Sequence, residues 1–193
     1  RPASPYAAPK LAVDTTLSQF ARLSGLGAVS LRYFNVAGAQ QAAEGHWLGE
    51  RHHPETHLIP TVLAAAAQGR PVRIFGDDYP TPDGTCVRDY IHVADLADAH
   101  LRAPAACPIG EHRVYNLGNG AGFSVREVIE KCREVTGTGI DVEVAPRRPG
   151  DPAAVIASHG RMTKELGWSP RSTEMGAIAE TAWRWHSTHP QGY

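Results

Sequence analysis

The sequence is that of an α/β chain, with parallel strands early and mixed strands later. Three observations carry this: apolar residues at helical spacing alternate with short β-rich runs, turn-forming clusters separate the two, and there are no internal repeats or low-complexity tails. The 193 residues, 42% hydrophobic and 20% charged, suit one ordinary globular domain or part of a larger one, enough to bury a core.

From Pro5 to Gly25 the residues Leu11, Val13, Leu17, Phe20, Ala21 and Leu23 recur at roughly helical spacing, and Gly25 and Gly27 stop the helix. Ala28 to Phe34 is a short β-rich run of the kind buried in a parallel sheet, and Asn35-Val36-Ala37-Gly38 breaks it into a loop. Residues 39–56 lack periodicity and read as a long functional or mobile loop before a helix over Leu58 to Gln68. A second strand covers Val72 to Phe75, and Gly76 to Thr85 is a turn region dense in Asp, Pro and Gly. After Cys86 to His92 a helix runs from about Val93 to Ala103, and a strand from Val114 to Leu117 ends in Gly118-Asn119-Gly120.

Ser124 with Glu127 three residues on is a capping box, which starts a helix that runs to Gly137. Alternation over Ile140 to Val144 marks a half-exposed strand, and Arg147 to Asp151 forms a basic loop. A short helix near Met162 to Leu166 and an amphipathic one over about Thr173 to His186 complete the pattern, with at most one of Trp183 and Trp185 on the latter's buried stripe.

Nineteen basic against 20 acidic residues leave a net charge of −1, so no broad field exists to attract nucleic acid or an anionic membrane. Cys86, Cys107 and Cys132 are odd in number and widely spaced, which argues against a disulfide framework or zinc site and for a reducing compartment, the cytoplasm. No apolar run approaches a membrane span, and no basic-then-apolar leader opens the chain. His52, His53 and His57 cluster in a loop, but no carboxylate or cysteine spacing completes a ligand set, so no metal is expected. The chain opens on Arg1 with helical pattern already under way at residue 6, from which an upstream segment is expected to have been removed.

Tyr6 and Lys10 stand four apart at the start of the first helix, on one face and about one turn from each other. An ammonium beside a phenol favours the phenolate and brings its pKa toward working pH, which makes it a usable base. A solvated Lys beside a packing Tyr is the plainer reading of the pair by itself.

That YxxxK pair is followed by LRYFNVAG at Leu31 to Gly38, IFGDDYPTPDGTCVRDYIHVADLADAH at Ile74 to His100, VYNLGNG at Val114 to Gly120, APRRPGD at Ala145 to Asp151, ELGWSP at Glu165 to Pro170 and HPQGY at His189 to Tyr193. Taken in this order, over nearly the whole chain, the sequence resembles the C-terminal portion of the UDP-glucose 4-epimerases, members of the extended short-chain dehydrogenase/reductase family. The resemblance implies the end of a Rossmann-type parallel sheet over residues 1–35, and over 36–193 mainly a smaller mixed UDP-sugar-binding domain, with short returns to the sheet near 86–120.

It also implies a bound NAD that takes a hydride from carbon 4 of a UDP-hexose, a homodimer at full length, and a role for particular residues. Tyr6 would be the base, Lys10 would lower its pKa and hold the nicotinamide ribose, and Tyr33 and Phe34 would lie beside the nicotinamide and sugar. Arg88 and Arg148 match diphosphate ligands and Asp151 a ribose-hydroxyl ligand. Asn35, His57, Leu58, Ile74, Phe75, Tyr90 and Val155 match further positions around the sugar nucleotide.

Read by themselves, several of these residues have plainer roles. Tyr33 and Phe34 read as core aromatics, Leu58, Ile74 and Phe75 as core, Asn35 as a turn residue, and Arg88 and Arg148 as partners of Asp89 or Asp151. Three features depart from the family pattern: no glycine-rich GxGxxG turn is present, the expected upstream Ser or Thr is not in the chain, and the pair reads YAAPK with Pro9 where a small hydroxyl residue is usual. A UDP-arabinose 4-epimerase, a sugar-nucleotide 4,6-dehydratase and a non-catalytic UDP-sugar binder remain alternatives. The 193 residues by themselves are expected to be inactive, and Val155 is expected to leave room for an N-acetylated sugar.

Overall fold

The structure, a computed structural model, describes residues 7–190. The first helix, α1 (Ala7–Ser24), leads into β1 (Ala28–Tyr33) and directly into β2 (Asn35–Ala37). A small antiparallel hairpin of β3 (Gln40–Gln41) and β4 (Trp47–Leu48) lies inside the segment expected to be a loop. There follow α2 (Leu58–Gln68), β5 (Val72–Phe75), β6 (Val87–His92), α3 (Val93–Arg102), β7 (His112–Leu117) and β8 (Gly122–Ser124). Then come α4 (Val125–Thr136), β9 (Val142–Ala145), β10 (Ala154–Val155), α5 (Gly160–Leu166) and α6 (Met175–Thr188).

The strands pair mostly in parallel. β1 lies beside β7 with Ala28 opposite His112 and Tyr33 opposite Leu117. β6 is flanked by β2 and β10, both parallel to it, and takes β8 antiparallel at its beginning. β5 pairs with β9. The run Asn35 to Ala37, expected to break the first strand into a loop, is a strand because β6 offers it a ladder; composition at three residues is a weaker determinant than a tertiary partner. It ends at Gly38, whose φ of +87° takes the chain out of the strand.

Local chemistry sets the helix ends. Ser124 accepts from the Glu127 N–H while the Glu127 side chain accepts from the Ser124 N–H, the complete capping box. α2, α4 and α5 end on Gly69, Gly137 and Gly167, each left-handed. Pro9 is the third residue of α1, inside the first turn, where its missing N–H would have had no intrahelical acceptor.

Two cores result. In the first, α2, α4 and α6 pack together with β5 through Val62, Leu63, Ile74, Val128, Ile129 and Ile178. In the second, Ile91, Tyr115, Leu117, Met162 and Trp168 close around the β1–β7 pair. The Trp168 indole N–H donates to the Asp95 carbonyl at 3.2 Å. Of the α6 tryptophans, Trp185 is buried and Trp183 is half-buried against the first core.

Candidate functional site

Strand β6 places Arg88 and Asp89 on opposite faces, as successive strand residues must lie. Asp89 faces inward, is fully buried, and accepts from the backbone N–H groups of Asn119 at 2.7 Å, Gly120 at 3.0 Å and Ala157 at 2.9 Å. Gly118 makes the approach possible, since a Cβ there would stand 2.6 Å from an Asp89 carboxylate oxygen. Asp89 thus ties the loop after β7 and the end of β10 to β6.

Arg88 turns outward. It is in register with Phe123 of β8 and Val155 of β10. Its guanidinium pairs with Asp151 and donates to the Val87 carbonyl at 2.7 Å. From the same basic loop Arg148 lays its guanidinium over the Phe75 ring at the end of β5, 4.0 Å from the centroid. Arg147 covers Tyr79 at 4.1 Å and pairs with Asp78 at 2.5 Å, which fixes the loop against the turn after β5.

The thiol of Cys86 registers the convergence. Burial pushes it up, Arg88 acts against this, Asp151 adds to it, and Arg148 also opposes it. Arg88, Arg148, Asp151 and Phe75 therefore form one arrangement: two guanidinium groups, a carboxylate and an aromatic face at the rim of β5 and β6. Its chemistry suits a doubly charged phosphate chain attached to a flat ring and a sugar hydroxyl.

Leu58, which opens α2, and Val155, which lies opposite Arg88, are half-buried. Ile74 and Tyr90 are 1% and 5% exposed within the first core, and burial raises the Tyr90 phenol above its ordinary pKa. Asn35 is exposed at the start of β2, and its amide donates to the Asp89 carbonyl at 2.8 Å.

Lys10 is exposed on α1, Tyr33 is 52% exposed at the end of β1 with its ring 6.3 Å from that of His100, and Phe34 is half-buried. Tyr6 lies outside the described residues. The expected ion pair of Arg88 with a neighbouring carboxylate is present, to Asp151 and not to Asp89.

Spacing along the chain missed Glu50. The loop brings it to His52 and His57, with its Oε1 2.8 Å and 2.5 Å from their ring nitrogens. Only the folded path of residues 49–57 could have revealed this. The three cysteines are free thiols, as their spacing implied, and among the described residues no helix is long and apolar enough to cross a membrane.

The chain has counterparts in known proteins. Residues 1–118 match the NAD dependent epimerase/dehydratase family. A UDP-glucose 4-epimerase of Streptomyces lividans is 56% identical over 197 residues, covering 100% of this chain and 57% of the relative. A UDP-glucose 4-epimerase crystal structure superimposes with a TM-score of 0.90 at 48% identity, over 100% of this chain and 58% of that one. The UDP-glucose 4-epimerase from Bifidobacterium longum, in complex with NAD+ and UDP, gives a TM-score of 0.89 at 38% identity, over 98% of this chain and 56% of that one. The chain thus spans a little over half the length of the relatives it matches. Sequence and fold agree, and the chain belongs to the NAD dependent epimerase/dehydratase family.

Proposed function

We propose that the chain is the sugar-nucleotide-binding part of a UDP-glucose 4-epimerase, which interconverts UDP-glucose and UDP-galactose at carbon 4 of the sugar. The observation that carries this is the gathering of Arg88, Arg148, Asp151 and Phe75 at one rim. Two guanidinium forks neutralise a diphosphate, and Asp151, which now orients Arg88, also has a second oxygen with which to accept from a ribose hydroxyl.

The division proposed for the chain puts residues 1–35 at the end of the nucleotide-binding domain and 36–193 mainly in the sugar-nucleotide domain. The pairing of β1 with β7 supports the proposed return near 86–120.

NAD, when bound, supplies the hydride acceptor and donor. The residues present fit one flank of it: Tyr33 stands exposed at the carboxyl end of a parallel strand, where open parallel sheets hold nucleotides, and Lys10 is exposed on α1. The other flank needs a glycine-rich turn that the 193 residues do not contain. Tyr6 would take the proton of the sugar hydroxyl as the carbon 4 hydrogen leaves and return it in the reverse step, with Lys10 holding the phenol ionised between the two. The same reading places the protein in the cytoplasm, as a homodimer at full length.

Calorimetric titration of the purified chain with UDP tests the binding half of the proposal. UDP is expected to bind, and Arg88→Ala and Arg148→Ala are each expected to weaken it by at least about tenfold, about 1.4 kcal/mol. Binding unchanged by either substitution sinks the proposal. No turnover of UDP-galactose is expected from the chain alone, and measurable turnover would overturn the claim that it lacks half of the cofactor site. Val155 beside Arg88 leaves room for an N-acetyl group, so Val155→Tyr is expected to lower affinity for UDP-N-acetylglucosamine more than for UDP-glucose.

A further inference from the structure

The segment between β4 and α2 carries a cluster of which the sugar-nucleotide reading involves only His57. Glu50, His52 and His57 each offer one ligand atom, and the three atoms lie within 4.8 Å of one another. Glu50 Oε1 stands 2.8 Å from His52 Nε2 and 2.5 Å from His57 Nδ1. The two rings meet edge to face, with centroids 4.8 Å apart.

Two features separate this from an incidental surface ion pair. A single carboxylate oxygen faces two imidazole nitrogens of different kind, Nε2 of one ring and Nδ1 of the other, so both rings aim a nitrogen at the same point. His57 also stands at the N-cap of α2, where a side chain ordinarily accepts from a helix N–H; its ring makes no capping bond and is turned to Glu50 instead. Glu55 holds the backbone at this point. Its Oε1 accepts from the backbone N–H groups of Thr56 and His57, both at 2.8 Å, and stands 3.8 Å from His57 Nδ1.

We propose that Glu50, His52 and His57 bind a divalent transition-metal cation, with zinc the best fit, and that the cation clamps residues 50–57 onto the N-terminus of α2. Two imidazole nitrogens and one carboxylate oxygen form a borderline ligand set that suits zinc and its neighbours, whereas magnesium and calcium take oxygen ligands. Each ring would carry its proton on the nitrogen away from the cluster and present the facing lone pair to the cation. Ligand atoms at roughly 2.0–2.2 Å from a tetrahedral zinc stand about 3.3–3.6 Å apart, against 2.8 and 2.5 Å for the nitrogen–oxygen contacts here and a spread of up to 4.8 Å across the three atoms. Closure therefore takes a rearrangement of the two exposed rings by about an ångström. Three protein ligands leave a coordination position for water or another ligand, the open arrangement of non-structural zinc sites. The inference rests on the geometry of this segment and not on the sugar-nucleotide reading.

Isothermal titration of the metal-free 193-residue chain with zinc chloride, and separately with magnesium chloride, tests it. One equivalent of zinc is expected to bind and magnesium is not. His52→Ala and Glu50→Gln are each expected to weaken zinc binding by about tenfold or more, with unchanged circular dichroism in the absence of metal. His53→Ala, a neighbouring histidine outside the cluster, is expected to leave binding intact. Zinc should raise the melting temperature of the unsubstituted chain by mass action and not that of His52→Ala. Absence of zinc binding, or equal binding by the His52→Ala/His57→Ala double variant, would overturn the proposal.

Discussion

Helix α1 and the α2–α4–α6 group are built from similar apolar patterns and end in opposite situations. Val62, Val128 and Ile178 are fully buried where the three helices meet. On α1, Phe20 is 56% and Leu23 79% exposed, and Ala21 is the one buried residue of the helix. Periodicity therefore shows that a helix has an apolar face, but only a partner makes that face a core. Among the described residues α1 meets β1 and β7 through few contacts and leaves Leu11, Val13, Phe20 and Leu23 in solvent. A face of that kind is where another surface is expected to dock, in line with the proposed larger protein.

The contrast can be broken at its strongest point. Asp89→Ala removes the acceptor for three backbone N–H groups, those of Asn119 and Ala157 in buried bonds and that of Gly120 in a part-buried one, at a cost of about 1–3 kcal/mol for each buried donor left unpaired. This is expected to be the largest loss in the molecule, read as the midpoint of urea denaturation; a loss below that of a single core methylene would show that the loop after β7 rearranges freely. Next in size is Ile178→Ala in the three-helix core, expected to cost about 2–5 kcal/mol by lost burial and the cavity left behind.

How far the sequence foretold these regions depends on how local the cause is. α4 was legible at both ends, because Ser124, Glu127 and Gly137 act on backbone groups within four residues of themselves. The rim was legible in its residues and not in its partners. Arg88 had two candidate carboxylates, Asp89 and Asp151, and the choice fell to strand alternation, which sends Asp89 inward. The strand Asn35–Ala37 and the meeting of Glu50 with His52 and His57 were illegible because each depends on where distant or unstructured chain comes to lie. Ile74 and Tyr90 show the converse: the core reading that their apolar bulk suggests is met by their burial.

A smaller effect joins the packed region to pH. His92 caps α3 by accepting from the Ala94 N–H through Nδ1, which leaves its Nε2 proton to bond Thr181 of α6 at 3.0 Å. The capping bond needs the neutral ring, because the imidazolium has no acceptor nitrogen. Burial lowers its pKa from 6.5 against the opposing pull of Asp95. A histidine with a depressed folded pKa contributes its stability in full above the unfolded value. That contribution is lost as pH falls from there through the folded pKa, because the unfolded chain takes up the proton first. Stability should therefore decline below about pH 6.5 with a slope of up to about 1.4 kcal/mol per pH unit from this group. His92→Asn, which keeps a capping oxygen and cannot titrate, is expected to flatten that slope, measured as urea midpoints across the pH range.

The smallest effect tests the other side of the contrast. Phe20→Ala removes a large aromatic ring, yet the ring is more than half in solvent, so the change is expected to alter the stability of the chain by no more than about 0.5 kcal/mol. The same substitution should lower the tendency of the purified chain to associate, since it shrinks the exposed apolar stripe on α1. Light scattering and urea denaturation on one preparation separate the two readings. A Phe20→Ala loss as large as that of Ile178→Ala would mean that α1 already has a partner in solution, and a second copy of the chain would then have to be that partner.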